Sequence, residues 1–316
     1  KPALSTGLNM QQSADDLVVE QPLDRANRLN IRIVSHCVVE RLDTQAKQVF
    51  TNIGQQPYGQ LVLAQGAEAL KLPFEGDASS DVISVNDLQD YRRYRDLLEG
   101  KDRVLLIGNG LIGCEFANDL ASVGKHVDLV GLTSWPMDRL LPETIGRRLQ
   151  DSLSAIGVNW QLDNTVSSIN YIDPSQPQKG YSVTLNSGET LEVDVIVSAV
   201  GLKARTKLAI NNGITCGVGI KTDSRLMTNV PHIYALGDCA EFDGQLQPFI
   251  APIYWGIKAL SQTLTGTFTE VSYPTMTVVV KTPACPITLL PPPQSEEGEW
   301  VLEQDELGMV ARFNTI

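Results

Sequence analysis

One glycine-rich segment of the sequence has the spacing that binds the pyrophosphate of a dinucleotide. It contains the pattern G-x-G-x-x-G. In this pattern the first glycine permits a tight turn, the second lets the backbone approach a pyrophosphate, and the third lets a helix pack closely on a strand. The free N–H groups at the start of that helix favour an anion. The residues expected to hold the dinucleotide here are Gly108, Gly110, Leu111, Ile112 and Gly113, with Gly201 from a later strand.

The flanking residues supply the strand, helix and strand that such a site needs. The all-apolar run 104–107 predicts a buried parallel strand. Apolar residues at helical spacing predict a helix over 111–123, ended by Gly124, and a second strand over 126–130. The acid that usually binds the ribose, about 20 residues past the glycines, would fall near Gly131. The sequence there is VGLTSW, with neither a carboxylate for NAD nor an arginine for NADP, so the motif leaves that choice open.

The chain contains an internal repeat at the scale of a domain. The stretches 36–67 and 165–201 both predict short strands with polar turns, and each ends in an apolar strand and a glycine. The second copy follows the glycine-rich unit. The first copy should follow a similar unit, and the sequence has no room for one before it. We therefore predict an α/β fold with two Rossmann-like, three-layer nucleotide-binding domains.

Six segments distributed over the whole chain carry a family resemblance. They are KPALSTG (1–7), LVLAQGA (61–67), LLIGNGLIGCEFANDL (105–120), VSAVGLKARTKLA (197–209), TNVPHIYALGDCAE (228–241) and VKTPACP (280–286). On these segments the sequence resembles the FAD- and pyridine-nucleotide-dependent reductases of the glutathione-reductase superfamily. The first and last segments are narrower, and together they resemble the branch of rubredoxin–NAD(+) and flavorubredoxin reductases.

The resemblance implies a domain organisation. Residues 1–74 and 218–269 would form an FAD-binding domain, 75–217 an NAD(P)H-binding domain, and 270–316 a partial α+β C-terminal interface domain. Full-length relatives are expected to begin with a further glycine-rich unit for FAD and to extend past the last residue here. The sequence is therefore expected to be truncated at both ends and to lack the first βαβ unit.

The resemblance also implies which residues act at the flavin. Glu115 is at the position whose acid points toward flavin N5 in the family and pairs with a lysine, for which Lys1 is the expected partner. Such a buried pair fixes charge near N5 with neither group unpaired. The alternative is that Glu115 only complements the helix dipole.

Other family positions concern FAD. Asp238, after Gly237, corresponds to the aspartate that accepts hydrogen bonds from the ribityl hydroxyls. A predicted helix over 249–263 would aim its N–H groups at the flavin N1/O2 edge. Lys281 would reach the flavin edge or, alternatively, lie on a surface strand. Val39, after a predicted strand over 31–35, corresponds to the residue whose backbone meets the adenine. The full set carried over to FAD is Pro2, Val39, Ala64, Gly66, Gly237, Asp238, Pro252 and Lys281.

Composition excludes several classes of function. The 37 acidic and 25 basic residues give a net charge of −12, which argues against nucleic acid and anionic membranes as partners. No apolar run approaches the ~18 residues of a membrane span, and the first residues are no signal peptide, so a cytoplasmic location is expected. The five cysteines form neither C-x-x-C nor C-x4-C, which argues against a redox disulfide, a zinc site and an iron–sulfur site.

The expected function is that of a flavoprotein oxidoreductase in electron transport, taking hydride from NADH and passing single electrons to rubredoxin, a one-iron protein. The alternatives are flavorubredoxin and ferredoxin reductases. Ferredoxin reductases usually have a lysine after Leu-Ser where this chain has Thr6, which favours the rubredoxin branches. A non-catalytic nucleotide-binding module is the alternative from another class.

Overall fold

The structure is a computed structural model that describes residues 2–292, 297–305 and 308–315. Within these residues the α-helices are α1 (Pro22–Leu29), α2 (Leu88–Leu98), α3 (Leu111–Ser122), α4 (Glu143–Ser154), α5 (Lys207–Ile210) and α6 (Ile250–Leu264). Short 3₁₀ turns are found at Pro2–Ser5, Ser79–Asp81, Pro177–Lys179 and Gly237–Cys239.

The strands of the first half of the chain are β1 (Val39–Asp43), β2 (Gln48–Thr51), β3 (Gly54–Pro57), β4 (Leu61–Leu63), β5 (Ala67–Ala69), β6 (Arg103–Ile107), β7 (His126–Val130) and β8 (Val158–Gln161). Those of the second half are β9 (Val166–Tyr171), β10 (Tyr181–Leu185), β11 (Thr190–Val193), β12 (Val195–Ser198), β13 (Leu202–Ala204), β14 (Ile220–Thr222), β15 (Ile233–Ala235), β16 (Ala240–Phe242), β17 (Gln245–Leu246), β18 (Val278–Val280), β19 (Ile287–Leu289), β20 (Gly298–Asp305) and β21 (Gly308–Thr315).

The chain divides into two compact units. The first comprises residues 1–19, 69–201 and 277–316, and the second residues 20–68 and 202–276. The predicted domain limits were drawn from the repeat and the family resemblance, and they stay a prediction.

A parallel sheet of order β12-β6-β7-β8 is the centre of the first unit. Its strands are apolar because both faces are covered, and Val104, Leu105 and Leu106 have no exposed surface. Helix α3 packs on this sheet and is buried continuously from Gly113 to Ala121. The antiparallel sheet β11-β10-β9 and the hairpins β18-β19 and β20-β21 complete the unit.

The second unit contains the parallel pair β4 and β15, and the parallel pair β14 and β16 extended by β17. Strands β1, β2 and β3 form an antiparallel sheet. The two apolar clusters of this unit form around β15 and α6. Each unit thus has parallel strands and a three-stranded antiparallel sheet, as the internal repeat predicts.

The predicted α/β class with parallel sheets is confirmed. The C-terminal region was predicted to be α+β, but its described residues form only strands, in the hairpins β18-β19 and β20-β21. The predicted strand over 31–35 is wrong: residues 31–34 have no regular structure and Ile31, Ile33 and Val34 are exposed. A strand is stabilised by hydrogen bonds to a neighbour, and no described strand pairs with this segment. Among the residues described, no helix is long and apolar enough to cross a membrane. The cytoplasmic location stays a prediction.

Candidate functional site

The glycine-rich loop has the geometry that its sequence predicts. Gly108 follows β6 with φ +111°, and a Cβ there would lie 2.7 Å from the carbonyl oxygen of Ala199. A Cβ on Gly113 would lie 1.9 Å from the oxygen of Gly108, so only glycine lets α3 pack this close. At Gly110 a Cβ would meet no described atom within 4 Å, and the backbone is open to a ligand.

The first turn of α3 leaves N–H groups that no helical carbonyl accepts. Its N-cap is Gly110, which has no capping side chain, and Leu111 and Ile112 follow it. Strand β12 pairs with β6, so Gly201, three residues beyond its end, belongs to the same edge of the sheet. The structure therefore brings the predicted NAD residues together at the carboxyl edge of β6 and β12, and this arrangement fits a pyrophosphate.

Asn109, which lies between two of the glycines, was not predicted to have a role. It is 7% exposed, and its Nδ2 donates to Thr133 Oγ1 at 2.8 Å and to the carbonyl oxygen of Trp135 at 3.2 Å. Its side chain occupies the space where Gly131 would carry a Cβ, only 2.3 Å from Asn109 Cγ. Asn109 thus fixes the segment after β7 against the glycine-rich loop.

Glu115 is the centre of a polar cluster on the same helix. Its side chain is 1% exposed. Ser5 Oγ donates to Oε2 at 2.6 Å, and the backbone N–H of Lys281 donates to Oε1 at 3.0 Å. Lys281 Nζ forms an ion pair with Oε2 and donates to Ser5 Oγ at 3.0 Å. We call Ser5, Glu115 and Lys281 the Glu115 cluster.

The lysine partner of Glu115 was expected to be Lys1, which lies outside the described residues. Pro2 begins the first 3₁₀ turn, and its side chain is not described. The described lysine on Glu115 is Lys281, which the sequence analysis assigned to the flavin edge without connecting it to Glu115. Ser5 was not singled out, although it lies in the same short motif.

Two further polar side chains of α3 continue the cluster along one helix face. Asn118 Oδ1 accepts from the N–H of Ala284 at 3.1 Å. Asp119 is 2% exposed and accepts from the N–H groups of Leu8 and Asn9 at 3.1 and 2.9 Å. Burial raises the pKa of the Asp119 carboxyl, while the two N–H donors oppose the shift.

Helix α3 therefore holds two loops, residues 5–9 and 281–284, by side-chain contacts. Helix α2 holds the segment that follows the first loop, because Tyr91 Oη donates to the carbonyl of Gln12 at 3.0 Å. The sequence signal that could have found Asn118 and Asp119 is their occurrence inside an otherwise apolar helix, where a buried polar group must have a partner.

The second unit contains most positions assigned to FAD. Strands β4 and β15 are parallel, and the N–H of Leu236 donates to the carbonyl of Leu63 at 3.0 Å. Ala64 and Gly66 therefore follow one strand, and Gly237 and Asp238 the other, at the same edge of the pair.

Three observations show whether the residues at this edge of the β4-β15 pair fit a bound cofactor. Gly66 and Gly237 have φ of +66° and +78°, and a Cβ on Gly66 would meet no described atom within 4 Å. Gln65 Oε1 is buried without a hydrogen-bond partner among the described residues. An open glycine backbone beside an unpaired acceptor fits a ligand with hydroxyl groups.

The last two FAD positions also lie in the second unit. Pro252 is in the first turn of helix α6. No described side chain caps this helix, so the free N–H groups of its first turn are available to an anionic group. Val39 is the first residue of β1 and is 39% exposed.

Comparison with known proteins identifies the family. The family model described as Pyridine nucleotide-disulphide oxidoreductase matches residues 1–258, and the model described as Rubredoxin binding C-terminal domain matches residues 270–315. The chain is 40% identical over 316 residues to the rubredoxin-NAD(+) reductase of Alcanivorax borkumensis, covering 100% of this chain and 81% of that protein. It is 39% identical over 311 residues to the nitric oxide reductase FlRd-NAD(+) reductase of Aeromonas hydrophila, covering 98% and 79%.

Solved structures share the fold at lower identity. A ferredoxin reductase from Rhodopseudomonas palustris superposes with a TM-score of 0.84 at 24% identity, covering 100% of this chain and 78% of that one. The NADH:rubredoxin oxidoreductase of Clostridium acetobutylicum gives 0.78 at 19% identity, covering 96% and 76%. The chain belongs to the rubredoxin-NAD(+) reductase family of pyridine nucleotide-disulphide oxidoreductases.

Proposed function

We propose that the protein is an FAD-dependent oxidoreductase that takes hydride from NADH and passes electrons to rubredoxin. The observation that carries this proposal is the Glu115 cluster. A buried carboxylate and a lysine are paired on the helix whose first turn forms the dinucleotide loop. One rigid element therefore joins the residues for the hydride donor to a charged pair suited to a redox cofactor.

The residues for NADH act mainly through their backbone. Gly108, Gly110 and Gly113 let the pyrophosphate approach the first turn of α3, where N–H groups and the helix dipole stabilise its charge. The nicotinamide half would then lie at the carboxyl edge of the sheet, where ligands bind in doubly wound folds.

The residues for FAD combine open backbone with fixed polar groups. Asp238 would bind the ribityl chain, Val39 the adenine, and the first turn of α6 at Pro252 the flavin pyrimidine edge. When bound, FAD supplies the chemistry of accepting two electrons as hydride and releasing them singly.

The Glu115 cluster would set charge and geometry at the flavin edge. Lys281 supplies a positive charge that favours the negative charge developing on reduction. Glu115 binds both the ammonium group and the backbone N–H of Lys281, and these two contacts fix the position of the lysine side chain. Because the carboxylate is buried, its pair with Lys281 is weakly screened by salt.

Rubredoxin is favoured as the acceptor by the C-terminal region. Residues 270–315 match the rubredoxin-binding model, and this region contributes Lys281 to the Glu115 cluster. A flavorubredoxin is the second candidate, because a relative named for such a partner is nearly as similar as one named for rubredoxin.

The test is a spectrum of the purified protein with FAD bound, recorded anaerobically before and after NADH. We expect the flavin absorbance to bleach, and added oxidised rubredoxin to restore it. Rubredoxin, flavorubredoxin and a ferredoxin are then compared by kcat/KM. An unbleached flavin, or a ferredoxin preferred over both other acceptors, would contradict the proposal.

Variants at Lys281 separate its charge from its packing. We expect Lys281→Met to slow flavin reduction by about tenfold, the effect of losing one hydrogen-bonded charge. Lys281→Arg keeps the charge and should retain most of the rate. Equal rates in both variants would show that the charge of Lys281 has no part in the reaction.

A further inference from the structure

The adenosine end of the dinucleotide site lacks its usual acid. In this type of unit a carboxylate after the second strand hydrogen-bonds the ribose 2′-hydroxyl and disfavours a 2′-phosphate. Here β7 is followed by Gly131, whose missing side chain leaves the space that Asn109 fills. No acid fits at that position, and the run Gly131–Met137 contains no charged residue.

The segment after the neighbouring strand, β8, supplies a carboxylate instead. Strand β8 is parallel to β7, with Gln161 opposite Val130, so both strands end at one edge. Asp163, two residues past β8, accepts from Ser134 Oγ at 2.6 Å. This edge of a parallel sheet is where nucleotides bind in doubly wound folds.

The position of Asp163 is fixed by its surroundings. Its backbone N–H donates to the carbonyl of Thr133 at 3.4 Å, and the N–H of Asn164 donates to the carbonyl of Gly131 at 3.0 Å. Thr133 is in turn held by Asn109 of the glycine-rich loop. Asp163 is therefore tied to the pyrophosphate site through one intervening residue, and it is exposed to a ligand.

We propose that Asp163, oriented by Ser134, replaces the missing acid and selects NADH over NADPH. This inference rests on the proposed dinucleotide site. A carboxylate accepts a hydrogen bond from a 2′-hydroxyl, but it repels a 2′-phosphate. Glu189 adds negative charge at the same edge, because its Oε1 accepts from Gln161 Nε2 at 3.1 Å. The first basic residue after β7 is Arg139, which is exposed.

The test measures binding without hydride transfer. NAD⁺ and NADP⁺ are titrated into the protein by isothermal calorimetry, and the ratio of their dissociation constants is compared between variants. We expect the wild type to prefer NAD⁺ and Asp163→Asn to reduce the preference by about tenfold. Asparagine tolerates the left-handed backbone at this position, where φ is +53°.

The matched control is Glu192→Gln, which removes the same charge from β11 of the antiparallel sheet, beside the amino end of β6. Glu192 pairs there with Arg103 at 3.5 Å. We expect this control to leave the ratio within about twofold of the wild type, as for a surface charge remote from a ligand. Added salt should weaken the wild-type preference, because it screens the repulsion of the 2′-phosphate.

Three results would overturn the inference, and the third has a different meaning from the first two. An unchanged ratio in Asp163→Asn, or a wild type without preference for NAD⁺, would reject Asp163 as the selecting residue while leaving the dinucleotide site intact. Binding of neither nucleotide by the wild type would reject the site itself, and with it the proposed function.

Discussion

The glycine-rich loop with the first turn of α3 (residues 108–114) and the rest of the helix (residues 115–122) make their contacts by different means. We call them the first half and the second half of α3. The first turn, after Gly108 and Gly110, offers bare backbone N–H groups and depends on the absence of side chains. The second half makes its contacts through the buried side chains of Glu115, Asn118 and Asp119. One half is open to a diffusing dinucleotide, and the other holds two loops of the protein itself.

This difference shows how one helix can both offer a backbone binding site and hold other parts of the protein by its side chains. A backbone site needs little besides correct φ angles and close packing, which neighbouring residues determine. A side-chain site needs partners from distant parts of the chain, and in α3 these partners are 110 to 166 residues away. Substitutions in the two halves should therefore fail in different ways.

The largest expected effect comes from removing the carboxylate of Glu115. Glu115→Ala leaves the ammonium of Lys281 and the hydroxyl of Ser5 without their buried acceptor. Breaking a buried ion pair from one side costs about 3 kcal/mol. The free energy of unfolding, measured by urea denaturation, should fall by that amount.

The control for Glu115→Ala is Glu303→Ala. Glu303 pairs with Arg312 on the terminal hairpin, and both side chains are more than half exposed, at 55% and 58%. Exposed pairs contribute about 0.5 kcal/mol. If the two variants lose similar stability, the Glu115 cluster is no more than a surface contact, and the contrast between the halves of α3 is wrong.

The next effect contrasts two glycines of the first half. Gly113→Ala places a methyl group 1.9 Å from the backbone oxygen of Gly108, which cannot rotate away. The forced separation of helix and strand should cost about 2 kcal/mol. Gly110→Ala meets open space at an ordinary φ of −78°, so stability should change by only about 0.5 kcal/mol.

Nucleotide binding should show a different pattern for the same two variants. The methyl group of Gly110→Ala occupies the side from which a pyrophosphate approaches, and we expect the dissociation constant of NAD⁺ to rise about tenfold. Calorimetry with NAD⁺, beside urea denaturation, separates the two outcomes. Unchanged affinity in Gly110→Ala would mean that this backbone is not the anion site.

The sequence predicted the first half of α3 well because its information is local. The predicted helix over 111–123 matches Leu111–Ser122, and the three glycines have the predicted surroundings. The predicted strand over 31–35 failed because apolar residues form a strand only beside a partner strand, and none of the described strands is there.

The second half was predicted only in part. The family resemblance pointed to Glu115 and required a lysine, for which Lys1 was expected. Lys1 lies outside the described residues, and the lysine described on Glu115 is Lys281. Neither Lys281 nor Ser5 can be assigned to Glu115 from spacing, because 166 and 110 residues separate them from it. Asn118 and Asp119 were visible only as polar residues in an apolar helix, with no indication of their partners. Tertiary contacts decide such assignments.

The smallest expected effect is a pH dependence that belongs to Asp119. Burial raises the pKa of its carboxyl above the ordinary 3.8. The folded protein thus binds this proton more tightly than the unfolded chain, and its contribution to stability is fully present below pH 3.8. That contribution is lost as the pH rises through the raised pKa. Asp119→Asn cannot titrate, so the wild type should lose stability relative to this variant as the pH rises from 3.8 through the raised pKa of Asp119.

The measurement is the difference in unfolding free energy between wild type and variant at each pH, with Asp173→Asn as the control. Hydrogen bonds from Ser175 and Lys179 lower the pKa of Asp173, so its contribution to stability is lost only as the pH falls below 3.8. Above pH 3.8 its difference curve should be flat. A flat curve for Asp119→Asn as well would mean that the N–H groups of Leu8 and Asn9 fully offset its burial. Holding a loop by a buried carboxylate would then carry no penalty at neutral pH, and the two halves of α3 would differ in geometry but not in electrostatic cost.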